Sequence, residues 1–373
     1  MANALIITSV ASMVQQFLLH NIFLLQKMGY EVQVACNFEN GNTCSLERVE
    51  ELKQTLTQCG VVFHQIDFER NVFQLSGNYR AYRQIADLIS KEEFALIHCH
   101  SPIGGVLGRL AARGVRKNGT RVFYTAHGFH FYKGAPKLNW MVYYPIERFC
   151  SRFTDKLITI NKEDFELAKN KFKAKEVHYV PGVGIDLSRF ENIHVDKGAK
   201  RNEIGVPEDV LLLLSVGELN ENKNHQIVIK ALAKLNDSNM HYAIAGIGEK
   251  AAELTDLANA LGVGDRVHLL GFRTDVAELY KTADLYIHPS FREGLPVAVM
   301  EAMASKTTVL ASRIRGCKDI VSDNLFDPRD VDSLIEKLQD PRSNGGLDEI
   351  FSQENIVERI VGLYEDTAPV VLK

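Results

Sequence analysis

Short apolar runs alternate with longer stretches whose apolar positions recur every third or fourth residue, and the alternation continues along nearly the whole chain. Continuous apolar runs bounded by turn residues fit strands buried on both faces, and the amphipathic intervals fit helices laid over them. ALIITSV (4–10) predicts a first strand, and the pattern over 14–28, ending on Gly29, predicts the first helix. EVQVAC, VVFHQIDF, ALIHCH, RVFYTAH, KLITI and VHYV follow as strand candidates. A second series opens with LLLLSVG (211–217) and continues through HYAIAG, RVHLLG, DLYIHP and TTVLAS, each with a helix-length interval behind it. This is an α/β chain: two Rossmann-like, doubly wound parallel sheets in tandem, joined near 181–190. Ligands of such sheets bind beyond the carboxyl ends of the strands. Two of them facing across a cleft would draw their chemistry from both halves.

Length agrees with that division, since 373 residues at 46% hydrophobic content can bury more than one core. No apolar run approaches the roughly 20 residues of a membrane span, and MANALIITSVASM lacks a basic leader segment, so a cytoplasmic protein is expected. The cysteines are scattered without CxxC spacing, which predicts neither disulfides nor a zinc cluster. Charge is uneven: residues 1–183 carry 22 Lys+Arg against 16 Asp+Glu, the remainder 21 against 31. Within the first half, residues 100–175 hold 15 basic and 5 acidic side chains, which suits an anionic partner.

The stretch FREGLPVAVMEAMAS (291–305) carries the sharpest chemical signal. Pro296 fits the first turn of a helix, and the free amides around Gly294, Leu295 and Val297 would form an anion site at its positive end. Glu301 falls about 80° around the helix from Glu293 and roughly 12 Å along it, a spacing that suits two ends of one elongated ligand. The helix dipole accounts for Glu293 alone. Glu301, within VAVMEAMA, needs a partner of its own.

E-G-L-P followed by that second glutamate resembles the E-x7-E signature of the retaining family 4 glycosyltransferases of the GT-B fold. YVPGVGIDLSRF, SVGELNENKNH, IAGIGEK, LLGFRTDVAELYKTADLYIHPS and SRIRGCKDIV extend the resemblance, and IHCHSPIGGVLGRLAAR with YTAHGFHF is similar to bacterial capsule and exopolysaccharide enzymes. The resemblance implies an acceptor-binding domain over 1–183, a nucleotide-sugar domain over 184–350 and a terminal helix, 351–373, returning to the first domain. It implies that Glu293 binds donor-sugar hydroxyls and supports developing positive charge, and that Glu301 binds the ribose. Lys223 would stabilise the leaving diphosphate, His127 would lie near the reacting sugar, and Phe272 and Arg273 would pack the nucleobase. Gly217, Gly294, Leu295, Pro296 and Val297 complete the implied nucleotide-sugar site. The implied partners are a UDP-sugar and a lipid-linked saccharide, with no nucleic acid.

Glu218 stands where many members have arginine, Lys306 and Thr308 occupy the usual glycine and proline positions, and Ala11-Ser12-Met13 replaces a Gly-Gly loop. Asp330-Val331-Asp332 is formally a DxD but reads as a helix cap, so no metal and no cofactor are expected. His98 and His100 share a face of ALIHCH and read as strand-end loop contacts. The aromatic and basic segment 129–156, with Trp140, suits the surface of an anionic membrane. Two other readings are a nucleotide-sugar 2-epimerase of the same architecture and a catalytically inactive partner that binds nucleotide or glycan.

Overall fold

A computed structural model describes residues 2–69, 71 and 74–367. The chain divides into two units, Met1–Val180 with Val357–Lys373, and Pro181–Ile356. In the first, β1 (Ala2–Val10), β2 (Tyr30–Asn37), β3 (Val62–Gln65), β4 (Phe94–His100), β5 (Arg121–Ala126), β6 (Lys156–Thr159) and β7 (Glu176–Tyr179) pair in the order β3-β2-β1-β4-β5-β6-β7. Every pairing is parallel. The apolar run of β1 shows why. Ile6 packs in one core with Ile22, Leu25 and Leu52, while Leu5 and Ile7 pack in another with Ile85, Ile97 and Tyr124. A strand with cores on both faces has no polar side, hence the unbroken hydrophobic pattern.

The second unit repeats the plan with β8 (Leu211–Val216), β9 (Met240–Ala245), β10 (Val267–Gly271), β11 (Leu285–His288), β12 (Thr308–Ser312) and β13 (Leu325–Phe326), in the order β10-β9-β8-β11-β12-β13. These pairings are also parallel. Strand order reverses between β1 and β4 and between β8 and β11, the places where loops open apart and ligands can enter.

The first helix departs from expectation. It runs on directly from β1, over Ala11–Met13, a π-helical Val14–Leu18 and Leu19–Lys27. Ala11-Ser12-Met13 is helical, and Ser12 is tied down by its N–H to Asn42 Oδ1 at 2.9 Å. The helix Gln353–Tyr364 ends within the first unit, where the Tyr364 hydroxyl accepts from Asn21 and Lys156 Nζ donates to the Leu363 carbonyl at 2.7 Å. Residues 368–373 of the expected terminal segment lie outside the described residues.

The aromatic segment splits in two. In the helix Lys137–Cys150, Trp140, Tyr143 and Tyr144 turn towards the core, while Leu138 and Met141 are 64% and 74% exposed, with Ile146 and Phe149 also outward. Behind the helix, Glu147 meets the wholly buried Arg109 of the helix Pro102–Ala112 at 2.7 Å. Gly105 lets that helix lie close, since a Cβ there would sit 2.3 Å from the Tyr124 ring.

Candidate active site

In the second unit, β8 and β11 are neighbours, paired through Leu213 with Leu285 and Leu214 with Tyr286, so the loops beyond them lie side by side. Gly217 closes β8, and Asn220 caps the short turn Glu221–Lys223 by accepting from Lys223 N at 3.0 Å. Two bonds sew this turn to the loop after β11: Phe291 N to Asn222 O at 2.8 Å and Asn222 Nδ2 to Arg292 O at 3.0 Å. Asn224, in the left-handed region at φ 53, adds a third through Nδ2 to Pro289 O at 3.1 Å. The stitching delivers Lys223 Nζ to Glu293 Oε1 at 2.8 Å.

His288, the last residue of β11, completes the group. Its Nε2 lies 3.2 Å from Glu293 Oε1, and its Nδ1 lies 3.1 Å from the Tyr286 hydroxyl. Burial alone would raise the Glu293 carboxyl; hydrogen bonding and charge from His288, then Lys223, overcome it and hold the group well below the usual carboxylate range. Glu293 is therefore an ionised carboxylate in a mostly enclosed place, suited to face developing positive charge.

The turn after Glu293 is braced from below. Arg315 Nε donates to the Glu293 carbonyl at 3.1 Å. Gly316, at φ 76, lies so close that a Cβ would be 2.4 Å from the Gly294 carbonyl oxygen. Pro296 is extended, with ψ 112, and precedes the helix Val297–Ala304 as its N-cap instead of opening its first turn. The reason is that its carbonyl already accepts from Val299 and Met300. The amides of Val297 and Ala298 come before the first of these bonds and have no internal helix acceptor. Leu295 and Pro296 are buried, so their contribution to a ligand is backbone and shape.

Glu301 sits apart from the Lys223 pair and accepts from the Tyr280 hydroxyl at 3.1 Å. Burial raises its pKa against that hydrogen bond and the charge of Arg189. Phe272, beyond β10, is 64% exposed and presents an open ring. Arg273 beside it is committed elsewhere, donating to Asp275 Oδ1 at 2.8 Å and to Glu203 Oε1 at 2.5 Å. Arg273, expected beside a nucleobase, is held in an ion pair next to the Phe272 ring. Asp330 caps the helix Val331–Gln339 by accepting from Asp332 N at 2.9 Å. Lys306 takes φ 61, the conformation in which glycine would be unstrained. Three participants escaped the sequence reading: His288, Tyr280 and Arg315. The first two lie in LYIHPS and AELYK, whose strand-end and helix positions were the available signal.

In the first unit, His127 follows β5 and is partly exposed, with the Phe17 ring 6.2 Å away. His98 and His100 are not loop contacts. Both belong to β4 and are buried, because the strand carries its side chains into the core before it ends. His98 Nδ1 lies 2.7 Å from the Tyr364 hydroxyl and Nε2 lies 2.8 Å from Thr125 Oγ1. His100 Nδ1 lies 3.2 Å from His127 Nε2.

These imidazoles make the fold acid-sensitive. Burial pushes His98 down to about 3, with the neighbouring His127 acting the same way, and burial pushes His127 down to about 4. An unfolded histidine protonates near pH 6.5, so below that pH the unfolded chain binds more protons and stability falls until the folded pKa is reached. For His98 the loss is about 2 kcal/mol at pH 5 relative to neutral pH. His100, lowered by burial and by His98 and His127, adds to it. The urea midpoint is expected to drop between pH 7 and pH 5, and to drop less in His98→Gln. Equal midpoints at the two pH values would refute the account.

Comparison with known proteins fits the geometry. Residues 196–356 match the family model described as Glycosyl transferases group 1, and residues 7–161 match the one described as Glycosyl transferase 4-like. A Bacillus subtilis protein named as a glycosyltransferase, EpsD, is 39% identical over 302 residues, covering 80% of this chain and 75% of its own. An Escherichia coli relative, UDP-Gal:alpha-D-GlcNAc-diphosphoundecaprenol alpha-1,3-galactosyltransferase, is 29% identical over 295 residues, covering 73% and 75%. Among solved structures, HepE of Anabaena in complex with UDP superposes with a TM-score of 0.74 at 18% identity, covering 98% of this chain and 100% of that one. The fold is thus that of the GT-B glycosyltransferases.

Proposed function

The chain belongs to the group 1 glycosyl transferases, and from that premise we propose that it moves a hexose or N-acetylhexosamine from a UDP-sugar to a polyprenyl-diphosphate-linked glycan, with retention of configuration, in surface polysaccharide assembly. The Lys223–Glu293 pair beside the Gly-Leu-Pro turn carries the reading. Cleaving a sugar diphosphate leaves an electron pair on the departing oxygen and positive charge on the ring. Lys223 and the first-turn amides meet the former, and the Glu293 carboxylate meets the latter, in place before the reaction begins. Glu301 holds the ribose, Phe272 lies by the base, and His127 lies by the transferred sugar. The acceptor hydroxyl bonds the anomeric carbon and its proton goes to the leaving diphosphate. Orientation and fixed charge suffice, with no metal.

The named substrate of the Escherichia coli relative supports both the uridine nucleotide and the lipid-linked acceptor. The test is mass-spectrometric detection of product from a panel of UDP-sugars with polyprenyl-diphosphate glycans, in EDTA. Sugar added to lipid and lost in Glu293→Ala supports the proposal. Isomerised donor without acceptor would favour a 2-epimerase, and binding without turnover an inactive partner.

Membrane contact belongs to the same reading. Among the described residues no helix is long and apolar enough to cross a bilayer. The helix Lys137–Cys150 instead presents Leu138, Met141 and Phe149 with exposed Lys133, Lys137, Arg148 and Arg152 around them. Apolar side chains among cations suit the surface of an anionic leaflet. Leu138→Asp with Met141→Asp is expected to weaken cosedimentation with phosphatidylglycerol vesicles by about tenfold or more. Undiminished binding would remove this face from consideration.

A further inference from the structure

His100 is 1% exposed, its Nδ1 bonds the Nε2 of His127, and its own Nε2 has no hydrogen-bond partner among the described residues. We propose that His100 is a positioning residue that fixes His127 in the tautomer bearing hydrogen on Nδ1, so that His127 meets the transferred sugar as a neutral hydrogen-bond donor.

One hydrogen lies between the two rings, and it belongs to one of them. If His127 donates from Nε2, His100 accepts at Nδ1, and a neutral His100 must then carry its hydrogen on Nε2. That N–H would be buried with no acceptor. If His100 donates from Nδ1, its Nε2 is instead a bare lone pair. Orphaned buried N–H groups are rarer than under-satisfied buried acceptors, which selects the second arrangement. His98 offers no escape. Its ring lies tilted against that of His100 with centroids 4.1 Å apart, but both its nitrogens are engaged, by the Tyr364 and Thr125 hydroxyls. A doubly protonated ring is disfavoured at each of the three sites by burial.

With Nε2 of His127 accepting from His100, the hydrogen of His127 is on Nδ1. That nitrogen has no protein partner among the described residues, and the ring is partly exposed beyond the end of β5. A neutral N–H of this kind donates to a sugar oxygen without adding positive charge beside a ring that is itself becoming positive. An imidazolium at the same place would oppose the reaction. The role assigned to His127 rests on the transferase reading; the tautomer does not.

The test pairs spectroscopy with kinetics. Two-bond nitrogen–proton correlation spectra of protein labelled with 15N-histidine, with His127→Gln for assignment, should show His127 protonated on Nδ1. In His100→Asp the new carboxylate can only accept, and His127 should switch to Nε2–H. Its kcat for sugar transfer should fall at least about tenfold with donor KM changed by less than about threefold. His100→Asn, which can still donate, should keep both the tautomer and most of kcat. Wild-type His127 protonated on Nε2 would overturn the proposal without recourse to any variant. So would a folded His100→Asp protein with unchanged kcat. Nδ1–H in a wild-type protein that transfers no sugar would support the tautomer and count against the transferase reading.

Discussion

Glu293→Gln is expected to lower kcat by about 10²–10³-fold while leaving donor KM nearly unchanged. The substitution keeps shape and removes charge. Its target is held ionised by His288 and by Lys223 at 2.8 Å, against the pull of burial, and this is the condition a carboxylate needs to stabilise positive charge that exists only in the transition state. Groups bound equally in ground and transition states affect KM instead. Glu301, bonded to Tyr280 and set apart from Lys223, falls in that second class, so Glu301→Gln should raise donor KM more than it lowers kcat. Steady-state kinetics with the donor found by the product screen separates the two. A Glu293→Gln enzyme within about tenfold of wild type would mean the carboxylate is structural, because removing a preorganised charge costs more than that.

How much of this was legible depends on whether the information was local. Strands such as β1, β6 and β11 announce themselves because burial on both faces leaves a continuous apolar run, while the part-buried edge strands β3 and β7 show only short mixed runs. β13 has two residues, too few to make any pattern. Glu293, Gly294 and the helix behind them were readable within fifteen residues. That Lys223 touches Glu293 was not, since it follows from β8 lying beside β11 with 70 positions between the two side chains. The partners of Arg273 are hidden for the same reason. Its ion pair with Glu203 is as distant in sequence, and nothing adjacent to Phe272 and Arg273 reveals that carboxylate. ALIHCH places its two histidines on one face, but the hydroxyl that meets His98 belongs to Tyr364, contributed from the far end of the chain.

Glu147→Ala should destabilise the first unit by about 3–5 kcal/mol, the cost of leaving a buried charge without its counterion. The Arg109 side chain is wholly buried. Its Nη2 donates to Glu147 Oε2 at 2.7 Å, its Nε donates to the Gly105 carbonyl at 2.7 Å, and its guanidinium carbon lies 3.8 Å from the Tyr124 ring centroid. Tyr124 donates to the other carboxylate oxygen at 3.2 Å, so the alanine variant also strands a buried hydroxyl. Nη1 of Arg109 already lacks a partner among the described residues, which leaves no spare acceptor to take over. Replacing both charges, as in Arg109→Met with Glu147→Leu, should recover most of the loss, because a packed apolar pair avoids the desolvation that the ion pair must offset. Urea denaturation of Arg109→Met, Glu147→Leu and the double variant closes the cycle, with Glu147→Ala measured beside them. The outcome also bears on the membrane face, since Glu147 is the inward anchor of the helix whose outward side carries Leu138, Met141 and Phe149. If the apolar double variant is stable yet binds anionic vesicles more weakly than wild type, the buried pair orients that helix as well as supporting it. A double variant as unstable as Glu147→Ala would show that the site cannot repack, and that the charges are required by the shape of the cavity they fill.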